Sequence, residues 1–308
     1  MSEPLIELRM WRQFVAVAES LHFGRAAVRL HMTQPPLTQA IAGLEERLGV
    51  RLFDRTKRSV QLTDAGKALL PEARELLARA MSLPAHARAA ANGETGRLRL
   101  AFVSTVGYGL LPQWLQAFRL AYPGVELELL EATGDAQLQG LERGDIDAGF
   151  MLHSAGIEPA GVHHMRVIRE PLVLALPEQH ELAVARTLAL GRVLDLPLLI
   201  FPRRTLPSLH DAIFAMYHAA GRTPHVAHQA MQMLTIVNLV AAGLGVAWVP
   251  ETVRQFQRKG IMYRQITGKQ AQQVPMADTS LVWQSTANPT LERFVEFAQA
   301  HLPPPAAQ

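Results

Sequence analysis

The chain has 308 residues, 49% hydrophobic and 19% charged, a globular rather than a disordered balance and long enough for two or three domains. It contains no cysteine, which excludes disulfides, thiolate nucleophiles and Cys-ligated metals, and no apolar run approaches the roughly 18 residues that cross a bilayer. The formal charge of +3 is uneven: residues 1–97 hold 14 Lys and Arg against 10 Asp and Glu, and the remainder 16 against 17.

The basic excess is densest at 51–60, where Arg51, Arg55, Lys57 and Arg58 oppose only Asp54. Such a cluster on a near-neutral chain points to a polyanion-binding module joined to a domain with another task. Taken alone, a charge run is equally a solvated loop. The opening MSEPLIELRM lacks the basic-then-apolar pattern of a signal peptide, so a cytoplasmic location is expected.

Leu8, Trp11, Phe14, Val15 and Ala18 recur at helical spacing and predict an amphipathic helix over 6–19. Ser20-Leu21-His22 interrupts it, and Phe23, Ala27 and Leu30 give a short second helix. After His31-Met32-Thr33, the stripe Leu37, Ile41, Leu44 and Leu48 gives a third helix, ended by Gly49. Two short helices joined by a tight turn match the helix-turn-helix pattern.

Thr33 stands at the N-cap and Gln34 opens the third helix, so Pro35 and Pro36 fall in the first turn, where a backbone N–H has no intrahelical partner to lose. This stiffened end is the one expected to meet DNA. With the leucine and isoleucine stripe turned inward, Thr38, Gln39 and Ala42 join Pro35 on the opposite side. Small or hydrogen-bonding side chains of this kind suit base edges and thymine methyls in a major groove. A plain three-helix bundle would share the inward stripe but would more often carry long charged residues outside. Residues 50–53 and 59–62 alternate as two short strands around Arg55, Lys57 and Arg58, a wing whose cations would contact phosphates.

From 64 to 91 the chain is mostly Ala, Leu, Glu, Arg and Lys, with Thr63 able to cap and Asp64 well placed for a helix start. Leu69, Leu76, Leu77, Ala80 and Leu83 form an apolar seam, and Pro71 and Pro84 are expected to bend the helix locally. A helix this long must bury its seam, either on the C-terminal domain or on a second subunit.

Strands and helices then alternate. Strands are predicted at 97–103, 125–131 and 144–150, with helices at 110–121 and 135–143. Further strands follow at 171–177, 196–202 and 245–250, separated by helices at 208–220 and 231–242. The pattern predicts an α/β fold with a mostly parallel sheet, arranged as two lobes around a cleft. In such lobes ligands sit beyond the carboxyl ends of strands, near helix N-termini. Ser104 and Thr105 follow one strand, Thr133 another, and Phe201, Pro202 and Arg203 a third, with Gln232 adding a polar group from its helix. Hydroxyls, free N–H groups and a guanidinium converging there would suit a small carboxylate. Each Ser or Thr alone is equally a helix cap. The 12 histidines form no recognised ligand motif, and GxGxxG, P-loop and GxSxG patterns are absent, so no metal, cofactor or catalytic apparatus is expected.

The run HFGRAAVRLHMTQPPLTQAIAGLEERLGVRLFDRTKRSVQLTDAGKALL resembles the winged helix-turn-helix of LysR-type transcriptional regulators. An Ala-Ala helix, TQPPL, LEERLGVRLFDR and LTDAG occur in order at the family's spacing, and the resemblance continues to the C-terminus. It implies a winged helix-turn-helix at 6–63, a linker helix at 64–91 that pairs antiparallel with its copy, and a periplasmic-binding-protein-like effector domain at 97–302. Lobe I would comprise 97–165 plus 269–302 and lobe II 166–268, with the chain crossing near 165 and 268. One departure is Gln39, where many members carry Arg, so the operator preference of this chain is expected to differ.

The partners implied are double-stranded operator or promoter DNA, a small carboxylate effector, a homodimer assembling to a homotetramer, and RNA polymerase, without membrane or cofactor. The nearest resemblance is to members responding to small organic acids, including regulators of aromatic degradation and of the acetate type. The expected function is a sequence-specific transcriptional regulator, not an enzyme. An architectural DNA-binding protein without effector and an enzyme with an accessory helix-turn-helix stand as alternatives.

Overall fold

A computed structural model describes residues 5–56, 59–284 and 288–303. The chain divides into two compact units, Met1–Arg88 and Ala89–Gln308.

The first unit holds α1 (Leu8–Ser20), α2 (Phe23–Arg29), α3 (Gln34–Leu48), a hairpin of β1 (Phe53–Arg55) and β2 (Val60–Leu62), and most of α4 (Asp64–Ala91). Its core is Phe14, Val17, Ala26, Leu37, Ile41, Leu44, Leu52 and Phe53. The Phe53 ring closes the bundle, with centroids 5.6 Å from Phe14 and 6.0 Å from Phe23. The buried stripe of α1 is rotated from the one read in the sequence. Leu8 is exposed and Trp11 and Val15 are half-buried, while Phe14, Val17 and Ala18 face inward together with Gln13. Helix α1 packs on both α2 and α3, so its inner face is broad. Gln13 is accommodated there because its amide donates to the Met32 sulfur.

Short polar contacts lock the unit. Glu19 accepts from Arg29 at 2.6 Å and from Arg74 at 2.9 Å, tying α1 to α2 and α4, and these two hydrogen bonds hold its carboxyl below the usual range. Thr63 caps α4 by accepting from the Gly66 amide, and its hydroxyl donates to the Arg51 carbonyl. Gly66 itself is required by close approach: a Cβ there would stand 2.3 Å from the Leu52 carbonyl oxygen. Helix α4 runs through Pro71 and Pro84, and Leu76, Met81 and Leu83 on it are exposed.

The second unit contains β3 (Thr95–Phe102), α5 (Leu110–Ala121), β4 (Gly124–Glu131), α6 (Gly134–Arg143) and β5 (Ala148–Ser154). There follow β6 (His163–Pro177), α7 (Leu190–Leu194), β7 (Leu198–Ile200), α8 (Pro207–Ala219), β8 (Val226–Gln229) and α9 (Met233–Ala241). The unit ends with β9 (Ala247–Pro250), β10 (Ile261–Arg264), β11 (Met276–Trp283) and α10 (Pro289–Ala300). The strand order is β10-β6-β11-β5-β3-β4, with β9 also on β6, and β7 pairs with β8.

The main sheet is mixed, where the alternation of elements had suggested a mostly parallel one. Only β4, β3 and β5 run parallel, and β11 is antiparallel to both β5 and β6. The reason is β6, a strand of 15 residues. Its first part pairs with β11 and its last part with β9 and β10. The strand thus leaves one core, built on Trp114, Phe118, Phe150, Phe294 and Phe297, and joins another around Leu174, Tyr217, Ile236 and Trp248.

Two further differences have local causes. Strand β5 starts at Ala148, four residues later than Gly144, because the Asp147 carboxylate accepts from the Arg99 backbone N–H at 2.7 Å and from its guanidinium, holding 144–147 as a turn. Strand β11 carries Asp278, Thr279 and Ser280, which hide it from an apolar pattern although all three are buried. At the start of the unit Gly93 adopts φ 69°, and a Cβ would lie 2.1 Å from the Pro289 carbonyl oxygen, so the chain passes α10 only as glycine. Among the described residues no helix is long and apolar enough to cross a membrane.

Tyr217 is fully buried in the second core, and burial pushes its hydroxyl up to about 12. Below pH 10 the ring is neutral whether the chain is folded or unfolded; between 10 and about 12 only the unfolded chain ionises, so stability falls as pH rises. Tyr217→Phe should lose this part of the fall. Calorimetry should show the Tm of the variant shifting by a few degrees in its favour, relative to the parent, from about pH 9 to about pH 11.

Candidate functional site

Two surfaces carry the chemistry, one in each unit. In the first unit, α3 buries Leu37, Ile41 and Leu44 completely. The same turns of helix therefore leave Gln34, Pro35, Pro36, Gln39 and Ala42 exposed, with Thr38 half-buried. Pro35 and Pro36 lie in the first turn, and the Thr38 hydroxyl donates to the Gln34 carbonyl at 3.1 Å. Thr33 occupies the N-cap with extended backbone, but its side chain makes no capping hydrogen bond and is exposed. Gln34, Pro35, Thr38 and Gln39 line one shallow concavity. It presents amide, hydroxyl and methylene groups without a charge.

Of the three cations read at the tip of the wing, Arg55 is the one that lies among the described residues. Arg55 donates to Glu45 at 2.7 Å, and its guanidinium lies over the Phe23 ring, 4.9 Å from the centroid. Lys57 and Arg58 lie outside the described residues. Glu45, which sequence reasoning missed, organises this region: its other carboxylate oxygen accepts the Leu52 and Phe53 backbone N–H groups at 2.8 and 3.0 Å. One carboxylate on α3 thus fixes where β1 begins and where Arg55 stands. The only signal in the sequence is an acidic residue four positions after Ile41, beside the apolar stripe of the helix.

In the second unit a cleft opens between the ends of β3 and β4 on one side and the segments after β7 and before α9 on the other. Its empty space, counted together with the open mouth, is about 470 Å³. Ser104, Thr105 and Thr133 line one wall, and Phe201 and Gln232 the other, so five of the residues singled out from the sequence share one space. Thr105 is buried, and its hydroxyl has no hydrogen-bond partner. Thr133 and Gln232 are the N-cap residues of α6 and α9, and neither side chain caps its helix. Both helices therefore turn first-turn N–H groups without intrahelical partners toward the cleft.

Pro202 and Arg203 do not line it, which corrects the expectation of a guanidinium in the site. Arg203 is exposed and held by Asp211 through two hydrogen bonds of 2.7 Å, a forked pair that turns it onto α8. In its place Thr205 and Leu206 reach the cleft, the Thr205 hydroxyl donating to the Pro202 carbonyl. Leu152, Met231 and Met233 complete an apolar floor that sequence reasoning did not assemble, since Leu152 lies past the strand predicted at 144–150 and the two methionines carry no polar signal. Among the described residues, no charged side chain lines the cleft.

Comparison with known proteins gives the same division. Residues 8–67 match the family described as "Bacterial regulatory helix-turn-helix protein, lysR family", and residues 91–303 match "LysR substrate binding domain". The chain is 42% identical over 289 residues to the HTH-type transcriptional regulator IlvR of Caulobacter vibrioides, covering 93% of this chain and 95% of that protein. It is 36% identical over 261 residues to AlsR of Bacillus subtilis, covering 85% and 86%. Among solved structures, CbnR, a LysR family transcriptional regulator, superposes with a TM-score of 0.81 at 32% identity, over 95% of this chain and all of that one. Full-length CbnR complexed with its target DNA gives 0.79 at 31% identity, over 96% and 99%.

Proposed function

The chain belongs to the LysR family of DNA-binding transcriptional regulators, and from that premise we propose that it is a sequence-specific regulator, not an enzyme, whose operator binding responds to a small organic acid. The observation that carries the DNA half is the exposed, uncharged face of α3, with Thr33, Gln34, Thr38 and Gln39 offering donors and acceptors beside Pro35, Pro36 and Ala42. These groups suit base edges, and the basic residues of the wing, Arg55, Lys57 and Arg58, suit phosphates. The acid half rests on Ser104, Thr105, Thr133 and Gln232 sharing one cleft with two helix N-termini.

Helix α4 leaves Leu76, Met81 and Leu83 exposed, and pairing with the same helix of a second copy would cover them. Such a dimer sets two α3 helices on related half-sites, and two dimers make a homotetramer. Acid in the cleft acts by binding one arrangement of the lobes more tightly than the other. RNA polymerase is the further partner, and the cytoplasm the location.

Electrophoretic mobility shift on the gene's own upstream region, with and without candidate acids, tests this. Specific binding that changes with an acid supports it. Specific binding indifferent to every ligand would favour an architectural protein instead. Within the same assay Gln39→Ala should cost about 1–3 kcal/mol on the preferred site and change the ranking of sites, with little effect on unrelated duplex. A uniform loss on all sequences would remove Gln39 from base reading.

A further inference from the structure

We infer that the cleft selects a monocarboxylate with an apolar body, seated by Thr105 and the N-terminus of α9, and discriminates against dicarboxylates. This rests on the organic-acid reading above and narrows it. Thr105 is 4% exposed, lines the cleft, and its Oγ1 is buried with no hydrogen-bond partner. A buried hydroxyl left unpaired is costly, and a carboxylate oxygen arriving in the cleft would relieve that cost.

The two helix starts differ in their fitness for an anion. Helix α6 already carries Asp135 in its first turn, a fixed negative charge beside its N–H groups. Helix α9 has no acidic residue in its first turn and no side-chain cap, and its N-cap Gln232 lines the cleft. Helix α9 also packs against the turn at 104–108 that carries Thr105. A single carboxylate therefore finds N–H groups, an amide and a hydroxyl on one side.

The opposite requirement is absent. Leu152, Phe201, Leu206, Met231 and Met233 form the apolar part of the remaining lining, and the neutral hydroxyls of Ser104, Thr133 and Thr205 its polar part. A second carboxylate would lose its water against these side chains without a cation to meet it. Of the two arginines just before Thr205, Arg203 is engaged by Asp211, and Arg204 is exposed and does not line the cleft. An aliphatic or aromatic body meets the same wall favourably.

Isothermal titration of the full-length chain tests this with straight-chain monoacids against diacids of matched length, and benzoate against terephthalate. At least one monoacid should bind about tenfold or more tightly than its matched diacid. Thr105→Val should weaken that monoacid by about tenfold, while Thr105→Ser keeps most of the affinity. The thermal unfolding of both variants without ligand should match that of the parent, which separates loss of the seat from loss of the fold. Diacids binding as tightly as monoacids would overturn the selection and leave the organic-acid reading standing. Absence of binding by both classes would overturn both. Thr105→Val without effect would remove Thr105 from the seat.

Discussion

Replacing Arg169 by alanine should destabilise the effector unit by about 3–5 kcal/mol, the cost of stranding a buried charge. Arg169 on β6 and Asp278 on β11 are directly opposed across the ladder. The guanidinium grips the carboxylate with two hydrogen bonds of 2.7 and 2.6 Å. The pair is asymmetric: the Asp278 side chain is 3% exposed and that of Arg169 44%. Arginine can return to water when the pair is broken; aspartate cannot. Arg169→Ala leaves the carboxylate between β5 and β6 with no counter-charge. Arg169→Lys should recover only part of the loss, since an ammonium does not match the fork. The double variant Arg169→Ala/Asp278→Ala should recover most of it, because the stranded charge is then gone. Denaturant unfolding of the four proteins measures this directly. Equal losses in the single and double variants would show that packing, not charge, is responsible.

Glu45→Ala should cost about 2–4 kcal/mol, from two backbone donors and one guanidinium losing their acceptor. The side chain is largely covered, and it satisfies the Leu52 and Phe53 N–H groups at the point where the chain turns from α3 into the wing. Loss of the carboxylate should loosen β1 before the helices are affected. Hydrogen exchange followed by mass spectrometry should show protection falling at 52–55 and persisting in α1 and in the middle of α3. Operator affinity should fall with it, since Arg55 loses its fixed position. Glu45→Gln keeps one acceptor oxygen and should fall between the two. Unchanged exchange at Leu52 and Phe53 would show that the turn is held by other contacts.

These two residues also mark where sequence reading stopped. The α3 segment was legible because its information is local: two prolines in a first turn, an apolar stripe at helical spacing and a closing glycine. Helix α5 was legible to its ends for the same reason, its apolar face fitting one period. Glu45 was not, because its partners are backbone N–H groups on the following strand, and backbone has no signature in composition. Arg203 was misplaced because its partner Asp211 lies on the next element, eight residues away, and only the folded turn brings the two together. Strand β11 was missed because Asp278, Thr279 and Ser280 are satisfied by neighbours distant in the chain; Ser280, for example, bonds to His153 at 2.9 Å. The hydroxyls of the cleft were found because each follows a strand, whereas its floor of leucine and methionine was indistinguishable from core.

The cleft without charge has a consequence for how the two units answer to their surroundings. Duplex DNA holds condensed counterions, and a protein that meets its phosphates releases them, so that equilibrium weakens steeply as ionic strength rises. A ligand seated as proposed, by N–H dipoles, a hydroxyl and apolar side chains with no cation, would displace water and almost no ions, so its equilibrium should be nearly flat over the same range. Ionic conditions that lift the protein from its operator would therefore change the occupancy of the cleft only through the coupling between the two sites, and hardly through a direct effect of salt on the cleft.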